Sequence, residues 1–286
     1  MAIDAKQIKE LREKTGMGIS QCKKALEEAG GNMDEAEMIL RKQGIDKAAK
    51  KADRPTGQGV VAIRIEGPAA AMIELACEQE PTAGNERFVG LVKLALDLCL
   101  AGKLRSAEAV IQAKTPEGTF ADSAKAVIGV VGENIILKKA ICVEAPAGGL
   151  IGAYAHFNKK AGALIALSLE GADPAAPALK TAANEIAMHA VAARPLAWNR
   201  KGIPAETVAK EKEVFLEGVK NSPEQLREKI LAGKLQKFYA DKVLVEQIFV
   251  KDPDGKATVQ QTLDNAAKSA GGKAKIADFA RFELGL

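Results

Sequence analysis

Aromatic side chains are scarce in this chain of 286 residues, which has 8 Phe, 2 Tyr and 1 Trp. Base-stacking platforms and sugar clefts are built from aromatic faces, so neither is a natural reading. Histidine is scarcer, at 2 residues, and His-dependent catalysis would have to use His156 or His189. No Ser or Cys nucleophile stands at a recognisable spacing from either. The 4 cysteines, at 22, 77, 99 and 142, form no C-x-x-C pair and have no histidine at ligand spacing. That excludes a structural zinc site and a disulfide framework, and predicts buried, reduced thiols in a cytoplasmic protein. No apolar run approaches the roughly 18 residues that span a bilayer, and the first residues lack the apolar core of a secretion signal. No membrane partner is expected.

A dominant charge is missing too. Lys+Arg 41 against Asp+Glu 37 leaves a net +4, with one basic stretch at 47–54, so direct nucleic-acid binding is not expected. The run Gly57-Gln58-Gly59-Val60-Val61-Ala62 spells G-x-G-x-x-A but precedes a predicted strand, whereas the dinucleotide fingerprint follows a strand and opens a helix. The Gly-Lys pairs starting at Gly102, Gly233, Gly255 and Gly272 lack the rest of a Walker loop, and no hydrolase or metal-binding signature appears. No catalytic residue, metal site or cofactor is expected. The chain reads as a binding protein, not an enzyme.

What is present is patterned text of an α+β class. An apolar fraction of 47% and a charged fraction of 27% suit two or three modules of roughly 50–200 residues. Residues 1–52 predict three short helices. Asp4 and Gln7 stand at capping-box spacing, Gly16 and Gly18 break the first helix, Ser20 caps the second, and Asn32 with Glu35 opens the third. Period-2 text flanks Gly67-Pro68 and then Lys159-Lys160, and each candidate hairpin is followed by a helix, at 85–101 and 175–193. In the first of these helices the apolar stripe is Phe88, Leu91, Leu94, Ala95 and Leu98. Two hairpin-plus-helix units suggest a duplicated core. Residues 204–237, broken at Asn221-Ser222-Pro223, read as an inserted antiparallel helical hairpin with Val208, Phe215 and Val219 on its apolar face. That hairpin is either a solvated helix pair or an interaction arm. Extended text follows at 243–245 and 279–284, with a helix at 258–270 between. His189 lies mid-helix among small apolar residues and reads as a core or partner-facing residue, and His156 lies at a strand end.

The text from Leu11 to Leu26, with Thr15-Gly16-Met17-Gly18-Ile19-Ser20-Gln21-Cys22-Lys23-Lys24 at its centre, resembles the amino-terminal signature of bacterial elongation factor Ts. Further blocks follow in family order: Gly132-Glu133-Asn134-Ile135, Tyr154-Ala155-His156, Ile186-Ala187-Met188-His189, Gly233-Lys234-Leu235-Gln236-Lys237-Phe238-Tyr239, Glu246-Gln247-Ile248-Phe249-Val250 and Phe279-Ala280-Arg281-Phe282. The likeness implies a guanine-nucleotide exchange factor for elongation factor Tu. It also implies a ubiquitin-associated-like three-helix module at 1–55, core subdomains at 56–140 and 141–286, and an inserted hairpin at about 200–238, used for homodimerisation in the family.

By the same likeness Arg12, Met17, Gly18, Ile19, Ser20, His156, Met188 and His189 would contact the partner. The family pattern Cys-x-Thr-Asp-Phe-Val-Ala intrudes beside the magnesium of Tu. Here that stretch reads Cys77-Glu78-Gln79-Glu80-Pro81-Thr82-Ala83, so Gln79, Glu80, Pro81 and Thr82 would form the magnesium-dislocation loop. Glu80 keeps a carboxylate, while Pro81 loses the aromatic wedge. The alternative is a Ts-like adaptor that binds Tu, or another partner, with little exchange activity.

Overall fold

The computed structural model describes residues 3–116, 118–220 and 223–286. Asp4 caps α1 (Ala5–Thr15) through Lys6 N–H at 3.1 Å, and Gln7 Oε1 accepts Asp4 N–H at 3.3 Å. The helix stops where Gly16 turns left-handed at φ 72°, a conformation a Cβ would disfavour. Gly18, rather than Ser20, caps α2 (Ile19–Glu28). The Gly18 N–H is taken by Gln21 Oε1 at 3.4 Å, and Ser20 is left exposed in the first turn. Asn32 Oδ1 accepts the N–H groups of Asp34 and Glu35 and opens α3 (Met33–Ala49). Leu11, Cys22, Leu26 and Leu40 fill the small core among these helices.

The chain next forms a hairpin of β1 (Gln58–Glu66) and β2 (Ala69–Cys77), a one-turn helix α4 (Glu80–Ala83) and α5 (Glu86–Ala101). Then come α6 (Ala107–Gln112), the short pair β3 (Lys114–Thr115) and β4 (Gly118–Thr119), α7 (Phe120–Val131) and β5 (Ile135–Glu144). The sheet order β1-β2-β5 puts β2 in the middle, and β2 is buried almost throughout, as a strand covered on both faces must be. On α5 the buried side chains are Phe88, Leu91, Ala95, Leu96 and Cys99. Leu94 and Leu98 of the expected stripe are only half-buried. All four cysteines are buried and none is in a disulfide. Burial pushes the Cys99 thiol up to about 12, so it is a core group, not a reactive one.

The chain divides into two compact units, the first comprising Met1–Ala62, Ala71–Cys142 and Phe282–Leu286. In this unit the second half of α3 lies along α7, and the helices meet glycine to glycine. A Cβ on Gly129 would fall 2.6 Å from the Gly44 Cα, a separation that only glycines allow. The Met17 methyl packs into the same seam.

The second unit comprises Ile63–Ala70 and Val143–Arg281. Here β6 (Leu150–Ala155) and β7 (Ala161–Glu170) pair antiparallel, with Ile151 opposite Ala166 and Ala153 opposite Leu164. Helix α8 (Pro177–Ala193) packs on both strands, α9 (Ala205–Glu217) runs against α10 (Glu224–Lys242), and α11 (Val259–Ser269) precedes β8 (Lys273–Glu283), which completes the sheet order β6-β7-β8. Asn221 and Ser222, expected to break the hairpin, lie outside the described residues.

One expectation is corrected. The text at 243–245 is not a strand: Val243 makes one bridge to Ala197, and Leu244–Glu246 then turns as a 3-10 helix with Val243 and Leu244 fully buried. Val219 is buried and Phe215 packs on the cluster of Ala197, Ile203, Phe238 and Val243. Phe215 therefore ties the hairpin to its own chain, and Val219 is turned away from solvent. The hairpin's outward apolar residues are Val214, Leu216 and Leu226.

Gly129→Ala tests the seam. Alanine gains about 1 kcal/mol of helix propensity, but its methyl must push α3 off α7, and overpacking commonly costs about 1–3 kcal/mol. The melting temperature is expected to fall; an unchanged or higher one would contradict the crossing.

Candidate partner-binding surface

The turn after α1 is built from local bonds. Thr15 Oγ1 donates to Leu11 O at 2.7 Å and accepts Met17 N–H at 3.3 Å, and the Cys22 thiol donates to Met17 O at 3.6 Å. Arg12, Gly18, Ile19 and Ser20 stand exposed, with Ile19 57% accessible. Met17 does not. At 4% exposure it fixes the turn to the α3–α7 seam, so its expected role as a direct contact gives way to a supporting one.

The stretch 79–82, expected as a loop, is the start of α4, with Gln79 as N-cap and Pro81 in the first turn, where a missing N–H costs nothing. Gln79 N–H donates to Glu133 Oε2 at 3.1 Å, and the Cys77 thiol donates to Gln79 O at 3.2 Å. Close by, Asn134, which is buried, donates its backbone N–H to Glu78 Oε1 at 2.7 Å and its side-chain amide to Ala52 O and Arg54 O. Gln79, Glu80 and Pro81 face outward, whereas Thr82 is buried.

In the first unit the base of the first turn and the start of α4 border two adjoining depressions. A cleft of about 390 Å³ beside the Met17 turn is lined by Lys14, Glu37, Arg41, Arg87, Asp122 and Val130, among others. A shallower groove beside Pro81 shares Arg87 and Val130 with it. Two of the charges on the cleft's walls are answered locally. The Glu37 carboxylate, 2.5 Å from the Lys14 ammonium, holds that lysine above its usual range. Thr119, donating N–H at 3.0 Å and O–H at 2.8 Å, holds Asp122 below its usual range. Sequence reasoning missed Arg87 and Val130. Arg87 reads as an ordinary first-turn residue of α5, and its position over Gly16 is a long-range fact without a local signature.

In the second unit, His156 sits half-exposed at the β6–β7 turn. Its Nδ1 lies 2.9 Å from Asn158 Oδ1, an acceptor, so Nδ1 carries the proton. Its ring leans on Phe157 at 4.4 Å between centroids, and Phe157 is 87% exposed. Met188 is half-buried. His189, also expected as a contact, lies inside at 1% exposure. Its Nδ1 accepts Val250 N–H at 3.1 Å, and its Nε2 donates to Gln247 Oε1 at 3.1 Å. Gln247 in turn donates to Ala193 O and Asp241 O. His189 therefore positions 247–250 and cannot touch a partner itself.

The family model described as elongation factor TS matches residues 82–286. Over 291 aligned residues the chain is 41% identical to elongation factor Ts of a Nitratiruptor species, covering 100% of this chain and 94% of that one. The chain belongs to the elongation factor Ts family. Elongation factor Ts of Nautilia profundicola is 39% identical over 287 residues, covering 99% of this chain and 93% of the relative. That of Prosthecochloris aestuarii is 38% identical over 291 residues, covering 99% of each. Membership makes this a translation elongation factor of protein biosynthesis. Among the described residues, no helix is long and apolar enough to cross a membrane, and no group of three or more His, Cys, Asp or Glu side chains could hold a metal ion.

The buried His189 ring has a pH consequence. Burial, only partly offset by Gln247, pulls its pKa below the usual value. An imidazole whose folded pKa is depressed contributes stability that is complete above about 6.5, the unfolded value. It is lost as the pH falls through the folded value, because the unfolded chain then binds the extra proton. The melting temperature is expected to drop between about pH 7.5 and pH 5.5, and to drop less in His189→Gln. An equal drop in both proteins would exclude the assignment.

Proposed function

We propose that this chain binds elongation factor Tu carrying GDP, opens its nucleotide site and promotes GDP release and exchange for GTP in the cytoplasm. The observation that supports the reading is the proximity, within the first unit, of two segments that the family resemblance expects to touch the partner. Thr15 and Met17, at the base of the turn that exposes Ile19, line a cleft, Pro81 and Thr82 line a groove, and the two depressions share Arg87 and Val130. The first segment would seat on the GTPase domain, the second would reach the magnesium site of Tu, and the exposed rim at His156 and Phe157 would supply a wedge. The 1–55 helices would then be a module of ubiquitin-associated type. Residues 56–140 and 141–286 would be two related hairpin-plus-helix subdomains, the second carrying the inserted hairpin.

No covalent step is needed. An exchange factor acts by binding nucleotide-free Tu better than GDP-bound Tu, and linkage makes the effect reciprocal: it weakens GDP by the factor that GDP weakens it. Disturbing the magnesium is an effective route, because the cation neutralises the phosphates and ties them to the GTPase. Glu80 supplies a carboxylate for that task.

Release of a fluorescent GDP analogue from Tu, followed by stopped flow, tests the proposal. The wild-type chain is expected to accelerate release. His156→Ala is expected to slow it roughly tenfold, about 1–2 kcal/mol, if the ring is inserted into the partner as a wedge. Release at the unassisted rate with the wild-type chain bound would instead favour a non-exchanging adaptor. Pro81 favours that second reading, since it cannot fill an aromatic-sized gap.

A homodimer through the 204–237 hairpin is part of the same proposal. Its face would be Val214, Leu216 and Leu226, the apolar residues that point away from the chain's own core. Changing all three to Ser is expected to convert a dimer to a monomer in analytical ultracentrifugation without shifting the melting temperature. A wild-type chain that sediments as a monomer at high concentration would remove the proposal.

A further inference from the structure

Arg87 is a half-buried charge in the first unit that the fold leaves unanswered. It stands in the first turn of α5, where its N–H bonds the Asn85 cap at 2.9 Å. Its guanidinium lies against the turn after α1: a Cβ on Gly16 would fall 1.6 Å from its Nη2. The glycine there serves both the left-handed backbone and the guanidinium above it. The neighbouring charges are matched. Lys14 pairs with Glu37, and Asp122 is held by Thr119 with Lys125 at 3.8 Å and Arg41 nearby. Among the described residues the Arg87 side chain has no hydrogen bond or ion pair, and the exposed Glu86 on the groove rim makes none with it.

A guanidinium carries five N–H donors in a planar fork that fits a carboxylate with two parallel bonds. It stands half-buried between the cleft and the groove with its donors uncommitted to any side chain of its own fold. A carboxylate of a partner can take up those donors. We propose that Arg87 receives a carboxylate side chain of the GTPase partner, which makes the valley between the Met17 turn and Pro81 an acid-accepting interface. The proposal rests on the reading that this partner is Tu. One uncompensated cation answers one carboxylate; a phosphate-rich ligand would need several. The contact also sits beside Pro81, where the aromatic wedge of the family is missing, so a charge-assisted bond takes over part of the anchoring there.

The test measures binding of the full chain to Tu from about 50 to 500 mM KCl, where screening separates charge from packing. Arg87→Met keeps a long side chain over Gly16 and removes the charge, while Arg87→Lys keeps the charge and loses the fork. The methionine variant is expected to bind about tenfold more weakly at low salt, with a flatter salt dependence and an unchanged melting temperature. The lysine variant should recover only part of the loss. Wild-type affinity and salt slope in Arg87→Met would overturn the inference while leaving Tu binding intact. A wild-type chain that fails to bind Tu would overturn both readings. Should Arg87→Met lose its melting transition, Arg87→Gln is judged on the same two outcomes.

Discussion

The glycine-to-glycine crossing of α3 and α7 is the contact on which the amino-terminal surface depends. Three short helices around Leu11, Cys22, Leu26 and Leu40 bury little apolar area, and a core of that size is marginal alone. The close approach of Gly44 and Gly129 extends it by letting α3 continue along α7. Small residues at the seam bring backbones together and leave a slot for one long side chain, which is Met17. A residue that looks on paper like the tip of a contact loop becomes the peg that holds the loop in place.

Rigidity at that turn matters for the proposed action. A contact can shift a partner's nucleotide equilibrium only by as much as it binds one state better than the other, and a loosely held turn would follow the partner instead of opposing it. The chain fixes each outward segment from behind. Thr15, Met17 and Cys22 hold the turn that exposes Ile19, Glu133 holds Gln79, and His189 with Gln247 holds 247–250. In each case the supporting residue is polar or adaptable and engaged, and its exposed neighbours are the ones left for binding.

Much of this is legible in local text. Capping at Asp4 and Asn32, the stop at Gly16, the hairpin turns at Gly67 and Lys159 and the helices at α5 and α8 follow from residues within one turn of each other. The illegible parts share a cause. In helix α7 the buried positions are Phe120, Ile128 and Gly129, and a glycine at the closest contact carries no apolar signal in the text. The strand β5 is continuous apolar and basic text without a clean alternation. The choice of Gly18 over Ser20 as cap depends on which backbone N–H Gln21 can reach. Facing is the hardest to read. An amphipathic pattern marks Phe215 and Val219 as apolar but not whether they meet their own chain or another, and it marks Met17 and His189 as notable but not as buried. Arg87 and Gly16 are far apart in sequence, so only the fold brings them together.

The central claim is that this surface distinguishes two states of one GTPase. The most direct measurement is the affinity of the full chain for nucleotide-free Tu and for Tu saturated with GDP and magnesium, by calorimetry in the same buffer. The account predicts markedly tighter binding to the nucleotide-free form, with the GDP-bound form recovering affinity as magnesium is removed. Equal affinities for the two forms, or an affinity indifferent to magnesium, would contradict it.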